Sequence, residues 1–122
     1  MDIFSNINLV NKAIDATLTR GELISQNISN VDTPNYKRKD INFEGVLSKE
    51  LERKSVQELD LEHLNAPVYV DKKTSFYRMD GNNVDIDIER SEATKVELRY
   101  NTLVTRITAQ LNRFDTVLQN LK

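Results

Sequence analysis

Cysteine is absent from this chain of 122 residues, so neither a disulfide nor a thiolate metal site can hold it together. Tryptophan is absent too, and aromatics make up only 7%. The one histidine, His63, sits in a charged stretch as a solvated side chain, and without a second histidine it makes no zinc site. Gly21, Gly45 and Gly81 are too far apart to form a phosphate-cradling loop. There is no run of about 20 apolar residues that would span a membrane. The opening MDIFSNINLVNK has an acid at position 2 and no apolar h-region, which is not the pattern of a cleavable signal peptide.

Charge of one sign is also lacking. Charged residues are 30% of the chain and the net charge is −2, with Lys and Arg scattered rather than gathered into a stripe. Nucleic acid is therefore not an expected partner. Tyr36, Tyr69, Tyr77 and Tyr100 form no stacking platform interleaved with basic residues. Asp80, Asp85, Asp87 and Glu89 cluster around a turn but lack the spacing of a calcium loop, so they read as turn and helix cap. No catalytic pair, cofactor motif or metal-ligand set is present, and no enzyme is expected.

What is present is periodicity at the two ends. Ile3, Ile7, Val10, Ile14, Thr17, Gly21, Ile24, Ile28 and Val31 alternate spacings of four and three. Ala93, Val96, Tyr100, Leu103, Ile107, Gln110, Phe114, Val117 and Leu121 follow the same rule. An average spacing of about 3.5 residues is the seam of a coiled coil. The expected fold is mainly α: long N- and C-terminal helices paired as a coiled-coil-like antiparallel hairpin. Between them lies a short central segment with a small β-hairpin and a short helix.

The first helix is expected from about Phe4 to Val31, capped by Asp2 or Ser5, and ended by Pro34, which pushes Thr33 out of the α region. Gly21 is either a mild weak spot in it or a place where a neighbouring backbone comes so close that no side chain fits. Asn27–Lys37, NISNVDTPNYK, reads as a helix end followed by a turn, in which Asn35 tolerates a left-handed conformation. Phe43, Val46, Leu47 and Leu51 have the spacing of a short amphipathic helix. Residues 52–63 read equally as solvated helix or as a mobile stretch. Pro67–Val70 and Ser75–Met79 are rich in strand formers, with Asp71–Thr74 as a hairpin loop between them. Asp80–Asn83 is a second turn, and the last helix begins between Asp85 and Ile88. The chain thus divides into residues 1–36, 37–84 and 85–122, with the first and last parts forming one coiled-coil domain.

Val104, Leu111 and Leu118 widen the second stripe beyond what one partner helix covers. The two seams hold too few large apolar residues to order both helices unaided. The expectation is that the terminal helices are partly disordered in the monomer and ordered by assembly.

Two motifs carry a resemblance. Asn27-Ile28-Ser29-Asn30-Val31-Asp32-Thr33-Pro34-Asn35-Tyr36-Lys37 resembles the N-terminal signature of bacterial flagellar rod and hook proteins, with Ser29 where Ala is usual and Asn35 where Gly is usual. Asp80-Gly81-Asn82-Asn83-Val84-Asp85-Ile86-Asp87, then Glu89 and Leu98-Arg99-Tyr100, is similar to the C-terminal pattern of the proximal-rod branch of that family. The resemblance implies a structural subunit repeated helically around an export channel, helping to transmit torque from the membrane ring to the distal rod and hook. It implies export through the flagellar type III apparatus without a cleaved signal, and a place in the basal body outside the cytoplasmic membrane. Its partners would be copies of itself, other rod subunits and the junction protein between rod and membrane ring. Asn27, Asn30, Thr33, Pro34, Tyr36, Gly81, Asn82, Asn83, Val84 and Tyr100 would be assembly elements. Lys12, Arg20, Glu22, Arg106 and Arg113 would face neighbours or the channel. The alternative reading is a soluble coiled-coil adaptor or chaperone-like module that binds an amphipathic partner helix.

Overall fold

The computed structural model describes residues 3–73 and 78–121. It is mainly helical. Helix α1 spans Ile3–Ser29. The strand β1, Lys39–Asp40, leads into the short helix α2, Phe43–Leu51. A single 3-10 turn at Val56–Glu58 precedes β2, Tyr69–Val70, and α3 covers Ile86–Asn120.

Local chemistry accounts for the helix ends. Asp85 caps α3, its carboxylate accepting from the amides of Asp87 and Ile88 at 3.0 and 3.3 Å. Asn42 caps α2 by accepting from the Gly45 amide at 3.0 Å. Asn35 takes φ 60°, the left-handed region that asparagine tolerates. Ser5 lies inside the first turn of α1 rather than at its cap, and Asp2 and the Ile3 side chain lie outside the described residues.

Contacts between α1 and α3 run in opposite order along the two helices. The rings of Phe4 and Phe114 meet edge to face, with centroids 5.4 Å apart. Arg20 bonds Glu92, and Asn27 bonds Glu89. A methyl added at Gly21 would meet the Val96 side chain, Cγ1 at 3.4 Å, which is ordinary contact. The close backbone approach considered for Gly21 is therefore not found, and the glycine remains a weak spot in α1. On α1 the seam positions from Ile7 to Val31 are all buried or half-buried, Val10, Thr17 and Ile24 most deeply. On α3 the seam is half-covered from Ala93 to Phe114 apart from Tyr100, and Val117 and Leu121 are exposed.

The rest of the core lies along the second half of α1 and beside its middle. Leu23, Ile24 and Val84 are buried, and so are Ile41 and Leu64, which lie beside Lys12, Asp15, Ala16 and Thr19. Leu64 anchors the segment left undecided from the sequence, which is irregular apart from its 3-10 turn.

One expectation is corrected. Tyr69–Val70 does pair antiparallel, but with Lys39–Asp40, in the register Lys39 to Val70 and Asp40 to Tyr69. This pairing joins distant parts of the chain, and the hairpin expected over Asp71–Thr74 falls on residues 74–77, which lie outside the described residues. Arg78 and Met79 are not in a strand, and residues 75–77 of the expected second arm lie outside the described residues.

Candidate functional site

The two motif segments meet. Asn35 donates its amide to the Asp80 carbonyl at 2.8 Å, and Asn83 donates to the Tyr36 carbonyl at 3.3 Å. Gly81, at φ 79°, packs so close to Asn35 that a Cβ there would lie 2.3 Å from Asn35 Oδ1. A side chain at 81 is excluded both by backbone conformation and by space.

Asn82 is fully buried and closes the end of α1. Its Nδ2 donates to the carbonyls of Asn30, Val31 and Thr33 at 2.9, 3.1 and 2.9 Å. Carbonyls past the last turn of a helix have no intrahelical donor, and here one side chain from the opposite motif supplies it. Asn82 Oδ1 accepts from the Val84 amide at 2.7 Å, so the whole side-chain amide is used. Arg78 adds a second donor to the Val31 carbonyl, and Lys37 Nζ donates to the Gly81 carbonyl. Locally, Asn30 Nδ2 donates to the Gln26 carbonyl at 2.8 Å while its Oδ1 accepts from the Thr33 hydroxyl at 3.1 Å.

Asn27, also fully buried, pairs with β1 as a neighbouring strand would. Its Oδ1 accepts from the Lys39 amide and its Nδ2 donates to the Lys39 carbonyl, both at 2.9 Å. The Tyr36 hydroxyl donates to the same Oδ1 at 3.2 Å. Burial of Tyr36, with the Glu89 carboxylate nearby, pushes its phenol above the usual value. Asn83 Oδ1 accepts from the Arg38 amide at 2.7 Å, and its Nδ2 donates to the Asp71 and Lys73 carbonyls at 2.7 and 3.0 Å.

Beside these amides lies a network of charge. Arg38 bonds Glu89 on α3, Asp40 at 3.1 Å and Asp71 at 3.4 Å. Arg20 on α1 bonds Asp40 at 2.9 Å and Glu92 at 2.8 Å. Glu89 is 1% exposed. A carboxylate so buried is tolerated because Arg38 and Asn27 satisfy it. Burial works against the charge of Asp40, but Arg20, the Ile41 amide and Arg38 outweigh it and hold its carboxyl below the usual range. Lys95 and Arg20 lower Glu92 likewise. The network ties α1, β1, the segment after β2 and the first turns of α3 into one unit. Among the described residues each of its charged groups has a partner, and its chemistry is cohesion.

Comparison with known proteins finds relatives that match nearly the whole chain. The chain is 33% identical over 126 residues to the flagellar basal body rod protein FlgB of Bacillus subtilis (strain 168), spanning 97% of each. It is 32% identical to FlgB of Aquifex aeolicus (strain VF5), over 98% of this chain and 97% of that one. It is 30% identical to FlgB of Escherichia coli (strain K12), over 89% of both. The chain belongs to the FlgB family of flagellar basal body rod proteins. No family model matches it. As a member it is a structural component of the rod and not an enzyme.

Of the motif residues read from the sequence, Asn27, Asn30, Thr33, Tyr36, Gly81, Asn82, Asn83 and Val84 come together in this clasp, and Pro34 stands exposed at its turn. Tyr100 does not join them. It lies eleven residues beyond Glu89, about 16 Å further along α3. Arg20, expected to face a neighbour or the channel, is instead held within the chain by Asp40 and Glu92. Glu22, Arg106 and Arg113 are exposed. Sequence reasoning missed Arg38 and Asp40, and it placed Glu89 at a helix start without its buried partner. One signal was available for Glu89: stepping the second seam back by four from Ala93 lands on it, and a charged residue at a seam position calls for a buried partner.

Proposed function

We propose that this rod protein is a proximal-rod subunit whose α1 and α3 form an antiparallel coiled-coil-like hairpin, and that copies of it and its relatives repeat helically around the axial export channel. In this reading residues 1–36 and 85–122 are one domain and 37–84 is a segment clamped to it. The seam residues Ile3, Ile7, Val10, Ile14, Ile24, Ile28, Val96, Leu103, Ile107, Phe114 and Leu121 are the contact stripe. The motif residues Asn27, Asn30, Thr33, Pro34, Tyr36 and Gly81–Val84 act on assembly through the clasp, by fixing how the central segment leaves the helix pair. The rod then passes torque from the membrane ring outward. The partners are other rod subunits and the junction protein of the ring. The chain reaches the space outside the cytoplasmic membrane through the type III apparatus without a cleaved signal.

The observation that carries this reading is the uncovered stripe on α3. Leu111, Val117, Leu118 and Leu121 are exposed, and no apolar residue of α3 is buried. Gln110 Oε1, on the same seam, is buried without a donor. A stripe this incomplete calls for another helix. A contact that joins unlike surfaces and does not close generates an open filament, which is what a rod is.

A concentration series in the analytical ultracentrifuge tests it. Open-ended growth is expected, together with helicity that rises on association. A closed dimer, or a monomer already at full helicity, overturns it and favours the adaptor reading. Electron microscopy of basal bodies carrying a labelled copy then places the subunit in the rod.

A further inference from the structure

Helix α2 lies across the helix pair without seating on it. None of its residues is buried; Phe43, Val46 and Leu47 are half-buried and Leu51 is exposed. Beneath it runs an open groove of about 900 Å3, whose apolar lining includes Ala13 and Ala16 of α1, Phe43 and Leu47 of α2, and Val96 and Leu103 of α3. The small side chains of α1 leave depth for the large ones of α2. Protein interiors are close-packed, and surfaces held apart across a gap lose the dispersion and burial that contact would supply. The helix is capped at one end by Asn42 and leads at the other into irregular chain at 52–55, so it can move as a rigid body. An exposed ion pair, Glu44 with Arg99, ties its first turn to α3, and such a pair is a weak tie.

We propose that α2 is a strap. In the free chain it closes on the groove, burying Phe43 and Leu47 against Ala13 and Ala16, and it lifts when the chain enters a rod. The middle of the α1–α3 face is thereby withheld from premature association. The lifting rests on the rod-subunit reading above; the closing does not.

The absence of native cysteine makes the test clean. With Ala16→Cys and Leu47→Cys together, mild oxidation of the free chain is expected to give an intrachain disulfide, seen as a faster monomer band on a non-reducing gel. The oxidised chain should sediment as monomer at concentrations where the reduced chain grows. No intrachain disulfide in a reduced variant of parental circular dichroism overturns the closing. Equal growth of the two forms overturns the lifting. A second test leaves the apolar lining of the groove untouched and changes only charged residues at it. Arg99→Glu is expected to raise self-association about two- to fivefold, the share an exposed ion pair can hold. Glu44→Arg added to it should restore the parental value. No rise, or no restoration, overturns the tie as a control point. If the disulfide closes but the unsubstituted chain never enters basal bodies, the rod placement fails, the lifting fails with it, and the closing stands.

Discussion

In its first turns α3 buries Glu89 to 1% exposure against Arg38 and Asn27. In its last turns Val117, Leu118 and Leu121 stand 58%, 47% and 77% exposed. One end of the helix pair is polar and fully satisfied within the chain. The other is apolar and incomplete. The difference shows where each kind of specificity resides. Directional bonds from Asn27, Asn82 and Arg38 define a single arrangement inside one molecule, because each has a particular atom to meet. Apolar surface has no such address, and its unfinished portion is what a neighbouring helix can complete.

Substitutions at six positions and a pH series can break or sharpen this contrast, ranked by the effect expected on the free chain. Arg38→Ala leaves Glu89 buried without its cation, and the cost should be about 3–5 kcal/mol, read as a lower urea midpoint. Asn82→Ala removes the donor shared by three carbonyls and should cost about 2–3 kcal/mol, with hydrogen exchange accelerating at residues 26–33. Gly81→Ala forces an L side chain to φ 79° against Asn35 and should cost about 1–2 kcal/mol; Gly81→Asn, which tolerates that conformation, should relieve only the backbone part. Asp40 holds its charge more firmly in the folded chain than in the unfolded one. Its contribution is therefore complete above the unfolded value near pH 3.9 and is lost as pH falls through the lower folded value. Denaturation followed against pH should show an acid limb that Asp40→Asn flattens. Leu118→Ser with Leu121→Ser should change monomer stability by less than about 0.5 kcal/mol and abolish growth in the ultracentrifuge. If the apolar tip proved costly to the monomer, or the clasp variants failed to unfold it, the division between the two ends would be wrong.

Much of the framework was legible because it is local. The two seams, the Asp85 cap, α2 at Phe43–Leu51 and the left-handed Asn35 follow from spacing or from the chemistry of one residue. What escaped is long-range and polar. A buried salt bridge has no period, so Arg38 and Asp40 read as surface charge. Tyr69–Val70 looked like half of a hairpin because turn residues follow it, but strand formers carry no information about a partner thirty residues earlier, and the partner is Lys39–Asp40. Asn82 was recognised as a turn residue, and only the fold shows that the helix it caps is α1.

That capping bond spans about fifty positions, and it runs backward in time. A growing or threading polypeptide delivers α1 first, with its last carbonyls bare, and completes them only after most of the remaining chain has emerged. Pro34 and the local bonds of Asn30 already stop the helix, but the turn beyond it gains the donor that fixes its final shape only when Asn82 arrives.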